Sequence, residues 1–210
     1  IVGGLEKVYE IGRIFRNEGV SQRHNPEFTT IELYEAYSDY EGMMELAEEL
    51  ITQACIQSHG TEKIEYQGKT LDFTRPWKRM GYFEALEVIG GVSRQTLYDH
   101  EAVKELCKKH MVEVDLDLPL AKLWDELFDT LVQSKLVQPT FIKDYPVELS
   151  PLARKIDSDP TLTYRFEAFV ANMEVANAFT ELNDPIDQLA RFEQQQKDRE
   201  KGDDEAHGMD

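Results

Sequence analysis

Two alternating runs near the start of the chain predict strands: residues 7–16 (Lys-Val-Tyr-Glu-Ile-Gly-Arg-Ile-Phe-Arg) and 28–37 (Phe-Thr-Thr-Ile-Glu-Leu-Tyr-Glu-Ala-Tyr). Both are rich in β-branched and aromatic types. Gly19, Ser21, Asn25 and Pro26 lie between them, which reads as a long loop joining two antiparallel strands. From Asp39, a candidate N-cap, Met43, Met44, Leu46, Ala47, Leu50, Ile51 and Ala54 recur at helical spacing and predict a helix packed on a sheet. Residues 63–73 read as a short hairpin turning near Gln67-Gly68. Helical patterns dominate residues 82–136, most clearly where Leu120, Leu123, Trp124, Leu127, Phe128, Leu131 and Val132 share one face. Strands return at 138–143 and from 164 to 183, and Asp184-Pro185 opens a last helix with a capping residue and a proline at its first position. The expected fold is α/β in the broad, α+β sense: an antiparallel sheet flanked by helices, one partial domain over 1–210 with a helical insertion at 82–136. Residues 202–210 are expected to be exposed and mobile.

Composition narrows the class. A chain of 210 residues with 41% hydrophobic and 10% aromatic residues can bury a core and is not a disordered composition. Acidic residues outnumber basic ones, 41 to 23, and a formal charge of -18 repels a phosphate backbone over most of the surface. A nucleic-acid partner would therefore need a local basic patch or another part of the protein. Cys55 and Cys107 lack metal-ligand spacing and predict buried thiols in a reducing compartment. No apolar run approaches the roughly 18 residues that span a bilayer, so a cytoplasmic protein without a membrane partner is expected. The chain opens at Ile1, which predicts that a segment precedes it.

Candidate chemistry lies on the first two strands. Side chains alternate between faces, so Phe28, Glu32 and Tyr34 share one face with Ile14 and Arg16 of the first strand, while Ile31 and Leu33 take the other and are expected to anchor on helices. Phe28 and Glu32 should be roughly 13 Å apart, a span suited to an elongated ligand with a flat ring at one end and a cation at the other. Each residue alone has a plainer account: Glu32 as a solvated strand carboxylate, Phe28 as core, Arg16 in a surface ion pair, His24 as a surface histidine. Only the combination favours a site.

The stretches Phe15-Arg16-Asn17-Glu18-Gly19, Arg23-His24-Asn25-Pro26-Glu27-Phe28-Thr29 and Glu32-Leu33-Tyr34 resemble the second signature motif of class II aminoacyl-tRNA synthetases in its lysine-specific form. Pro139-Thr140-Phe141-Ile142, Ser150-Pro151-Leu152-Ala153, Arg165-Phe166-Glu167 and Glu181-Leu182-Asn183-Asp184-Pro185 follow in the order of lysyl-tRNA synthetases, so the similarity spans nearly the whole chain. The resemblance implies activation of lysine by ATP to lysyl-adenylate and transfer to tRNA(Lys), with Mg2+ beside the ATP and a homodimeric parent. It assigns Arg16 to the α-phosphate, Glu18, Asn25 and Phe28 to adenine, and His24 to the outer phosphates. Glu32, Tyr34, Asn177, Phe179 and Glu181 would line the lysine pocket, and Glu167 and Glu174 would hold the metal.

Two features of the chain bear on these assignments. Asn177, Phe179 and Glu181 alternate one step out of phase with Glu174, so a shared cavity requires a bulge or twist between them. Where many bacterial members have Gly-Arg before the equivalent of Glu174 and a glycine between the asparagine and phenylalanine, this chain has Asn172-Met173 and Ala178, which touches local packing and spares the polar groups. The family's first motif, its third motif and its N-terminal anticodon-binding barrel find no match, leaving two alternatives open: a non-catalytic binding module, or a paralogue that lysylates a protein.

Overall fold

The computed structural model describes residues 1–16, 20 and 25–200, apart from the side chains of 198–200. Most of the loop between the first two strands, and the tail at 202–210, lie outside the described residues. Strands β1 (Lys7–Phe15) and β2 (Glu27–Glu35) pair antiparallel in unbroken register from Lys7 opposite Glu35 to Phe15 opposite Glu27. Val8, Glu10, Gly12 and Ile14 thus share a face with Tyr34, Glu32, Thr30 and Phe28. The opposite face departs from expectation. Tyr9, Ile11 and Phe15 are 74%, 64% and 71% exposed there, and Ile31 is 48% exposed, because β1 and β2 form a sheet of their own rather than joining the larger one.

Helix α1 (Tyr40–His59) starts where Asp39 accepts a hydrogen bond from the Gly42 N–H at 2.9 Å, and ends at Gly60 in the left-handed conformation, φ 74°. Its buried line is Tyr40, Met44, Glu48, Thr52 and Cys55, whereas Leu50 is exposed. Apolar period alone misplaces this line, because residues 73–77 supply partners for two polar groups. Glu48 accepts from the Trp77 N–H and from Arg75 Nε at 3.2 Å, and Thr52 donates to the Phe73 carbonyl at 3.0 Å. The hairpin of β3 (Lys63–Tyr66) and β4 (Lys69–Asp72) turns through Gln67 and Gly68, both at positive φ.

Strand β5 (Lys78–Gly81) leads into α2 (Tyr82–Val88), α3 (Arg94–Leu97), α4 (His100–Lys109) and α5 (Leu120–Leu131), after which the chain returns as β6 (Thr140–Lys143). A two-stranded ladder of β7 (Lys155–Ile156) and β8 (Asp159–Thr163) precedes β9 (Arg165–Val170), β10 (Met173–Phe179) and the last helix, α6 (Pro185–Glu200). Asp184 caps α6 as expected, accepting from the N–H groups of Ile186 and Asp187. The main sheet runs β10-β9-β6-β5. It is antiparallel except for β5 and β6, which pair in parallel. The sequence predicts neither β5 nor the parallel pair, since Lys-Arg-Met-Gly is too short and polar to show a period. Parallel neighbours need a long crossover, and α2 to α5 lie within it.

These helices share a core with the sheet: Tyr82, Phe83, Leu86, Leu97, Leu123, Leu127 and Phe128 pack with Met80, Ile142 and Phe169. On the other sheet face Phe141, Phe166, Ala168 and Val170 meet Tyr40, Met44, Cys55 and Trp77. Cys55 and Cys107 are free and buried. Among the described residues no helix is long and apolar enough to cross a membrane.

Candidate active site

The polar face of the β1–β2 ladder ends at Arg16. Its N–H donates to the Pro26 carbonyl at 3.0 Å, continuing the ladder past Phe15, and its guanidinium lies 5.3 Å from the centre of the Phe28 ring. Further along the same face Glu32 sits opposite Glu10, and Tyr34 sits opposite Val8. Glu32, Tyr34 and Asn25 are exposed, and neither Glu32 nor Tyr34 forms a hydrogen bond or ion pair with Asn177, Phe179 or Glu181 among the described residues. Glu18 and His24 lie outside the described residues.

The second group comes from β9 and β10. Their register shifts between Glu174, opposite Phe169, and Ala176, opposite Ala168, which makes Val175 an extra residue. This is the bulge that the phase of the sequence requires. Past it, Asn177 opposes Glu167 and Phe179 opposes Arg165, so Glu174, Asn177 and Phe179 share a face with Arg165, Glu167 and Phe169. The turn before β10 passes through Ala171 and Asn172 at φ 51° and 68°, and asparagine tolerates this region better than most residues. Glu181 forms an isolated bridge with Ala153; its side chain is exposed, and partial loss of water around the carboxyl raises it above the ordinary range.

Glu167 is held at both oxygens: Arg165 Nη2 donates to Oε1 at 2.5 Å and the Tyr145 hydroxyl donates to Oε2 at 2.7 Å. The Glu174 side chain is exposed as a whole, while neighbouring protein withdraws some water from its carboxyl. That desolvation, followed by the charge of Glu167, pushes its acid up to about 7, while Arg165 and Arg16 oppose the rise. Asp125 on α5 has an exposed side chain, yet the protein packed beside its carboxyl and then the charges of Glu167 and Asp129 raise it to about 7. Nothing in the sequence marks Asp125 or Tyr145, since the first lies on the polar side of an amphipathic helix and the second follows an ordinary strand.

Residues 1–209 match the family model for class II tRNA synthetases (D, K and N). The chain belongs to this family. It is 54% identical over 211 residues to the lysine–tRNA ligase of Thermoanaerobacter sp. (strain X514), 52% over 210 residues to that of Listeria innocua, and 52% over 210 residues to that of Bacillus thuringiensis (strain Al Hakam). All of the chain is covered in each case, and it spans about 42% of the length of these relatives. The sheet carboxylates are of the donor type that suits a divalent cation. Glu167 and Glu174 offer hard oxygens on one face, and their mutual repulsion is of the kind a cation relieves. Among the described residues no group of three or more His, Cys, Asp or Glu side chains could hold a metal ion by itself.

Proposed function

We propose that the complete enzyme containing this chain activates lysine with ATP, giving lysyl-adenylate and pyrophosphate, and then transfers lysine to the terminal ribose of tRNA(Lys). The observation that carries this reading is the common face of Arg16, Phe28 and Glu32, with the Arg16 guanidinium over the Phe28 ring. Phe28 stacks on adenine, with Asn25 and Glu18 at its edge and His24 toward the outer phosphates. Arg16 then meets the α-phosphate as charge builds during attack by the lysine carboxylate, where a planar fork of donors matches the phosphate oxygens. Glu32 and Tyr34 receive the ε-ammonium, and Asn177, Phe179 and Glu181 complete the lysine pocket. A ligand without that ammonium would leave Glu32 unpaired, which is the source of selectivity.

Glu167 and Glu174 would hold Mg2+, which supplies charge neutralisation at the phosphates when bound. The side chains contribute positioning and electrostatic stabilisation, and no covalent nucleophile is required. The reading extends to a homodimer working in the cytoplasm. With the charge of -18, the tRNA grip falls to a local patch or to other parts of the enzyme. Lysine-dependent exchange of pyrophosphate into ATP, followed by charging of tRNA(Lys), tests the proposal. Absence of exchange in the complete enzyme would leave a non-catalytic binding module.

A further inference from the structure

Arg165 belongs to one of the matching stretches, but the reaction outlined above gives it no role. Its guanidinium is spread over four partners. Nε donates to Asn177 Oδ1 at 3.3 Å, and Nη2 donates to Glu167 Oε1 at 2.5 Å. Nη1 donates to the Leu149 carbonyl at 2.5 Å and to Ser150 Oγ at 3.2 Å. The guanidinium carbon lies 4.7 Å from the centre of the Tyr145 ring, and that ring's hydroxyl holds the other oxygen of Glu167. The side chains of Arg165 and Glu167 are 17% and 13% exposed, so water screens this arrangement little.

We propose that Arg165 is a positioning residue that fixes the lysine-pocket Asn177 and the metal-side Glu167 relative to each other, coupling the two halves of the site. The inference rests on the proposed lysine and ATP chemistry and goes beyond it by naming the link. Arginine alone can make this link, because a lysine has one nitrogen and could not reach Asn177, Glu167 and residues 149–150 together. Each oxygen of Glu167 has a second lone pair, so the hydrogen bonds from Arg165 and Tyr145 aim the carboxylate without using up its capacity for a cation. Tyr145 acts on the metal side alone, since its hydroxyl meets Glu167 and makes no hydrogen bond to Asn177 among the described residues.

The test uses the complete enzyme and two equilibrium measurements: lysine binding by calorimetry without nucleotide or metal, and Mn2+ binding by electron paramagnetic resonance with a non-hydrolysable ATP analogue. Arg165→Lys is expected to weaken both by about tenfold, the usual scale for partners that orient a metal ligand. Tyr145→Phe is expected to weaken Mn2+ binding by about threefold or more and to leave lysine binding within about twofold. The inference is overturned if Arg165→Lys moves only one constant or neither, or if Tyr145→Phe shifts lysine as far as Mn2+. Should Arg165→Lys not be recovered folded, Asn177→Ala decides, because removing one group that Arg165 holds should weaken Mn2+ binding by about threefold; unchanged Mn2+ affinity would overturn the link. Wild-type enzyme that binds no lysine would defeat the proposed function and this inference together. Wild-type lysine-dependent exchange with unmoved variant constants would defeat the inference alone.

Discussion

Replacing Glu32 by glutamine should move ligand-free stability and lysine affinity in opposite directions. Glu32 lies directly opposite Glu10 on the same face of the β1–β2 ladder, and no protein cation pairs with either among the described residues. Like charges facing each other across strands cost about 0.2–1 kcal/mol, and solvent exposure places this pair toward the low end. The amide therefore stabilises the free enzyme slightly, an effect that fades in concentrated salt. Lysine binding loses a charge-assisted bond to its ammonium. Such bonds contribute about 1.5–3 kcal/mol, which corresponds to roughly 10- to 150-fold in dissociation constant. Calorimetric titration with lysine, a parallel titration with ATP, and urea unfolding would measure all three quantities on the complete enzyme. ATP affinity should stay within about twofold. A lysine constant unchanged in Glu32→Gln would refute the assignment, and a loss of stability would refute the repulsion argument.

Stability should fall slightly as pH rises from about 4 to 7, because withdrawn water and the charge of Glu167 raise the carboxyls of Glu174 and Asp125 to about 7 in the folded protein, the exposure of both side chains keeping the effect small. Thermal melts of the wild type against Glu174→Gln check this, the variant showing a shallower slope; equal slopes would exclude Glu174 as a source. Leu127→Ala should cost about 2–5 kcal/mol, since this side chain is fully buried. The core around it reaches Phe169 in β9, so unfolding should remain one transition by circular dichroism and fluorescence, whereas two transitions would make the helices an independent unit. Ala171→Gly should stabilise by about 0.5 kcal/mol in urea titration, because the left-handed φ of 51° strains alanine and the gain is partly offset by glycine's freedom when unfolded.

Several elements were legible because their signals are local. The strand runs at β1 and β2, the Asp39 and Asp184 caps, the Gln67-Gly68 turn and the apolar face of α5 depend on residues within a few positions of each other, and all appear where the pattern puts them. The bulge at Val175 was legible too, since only an extra residue brings Glu174 into phase with Asn177. Other features were hidden. Glu48 and Thr52 are buried because partners 21–29 positions away satisfy them, a condition that hydrophobic period cannot express. β5 is a strand through parallel pairing with β6, and their contact depends on the whole helical crossover between them.

For the site, the sequence determined which chemical groups are present and which of them share a strand face, since alternation along a single strand is a property of the backbone. Only the tertiary structure decided what each group meets. It set the guanidinium of Arg16 above Phe28, and it closed Arg165 and Tyr145 around Glu167. It also left the apolar face of Tyr9, Ile11 and Phe15 open to solvent. Such encounters join segments far apart along the chain, and desolvation and charge coupling act through space, so neither can be read from spacing alone.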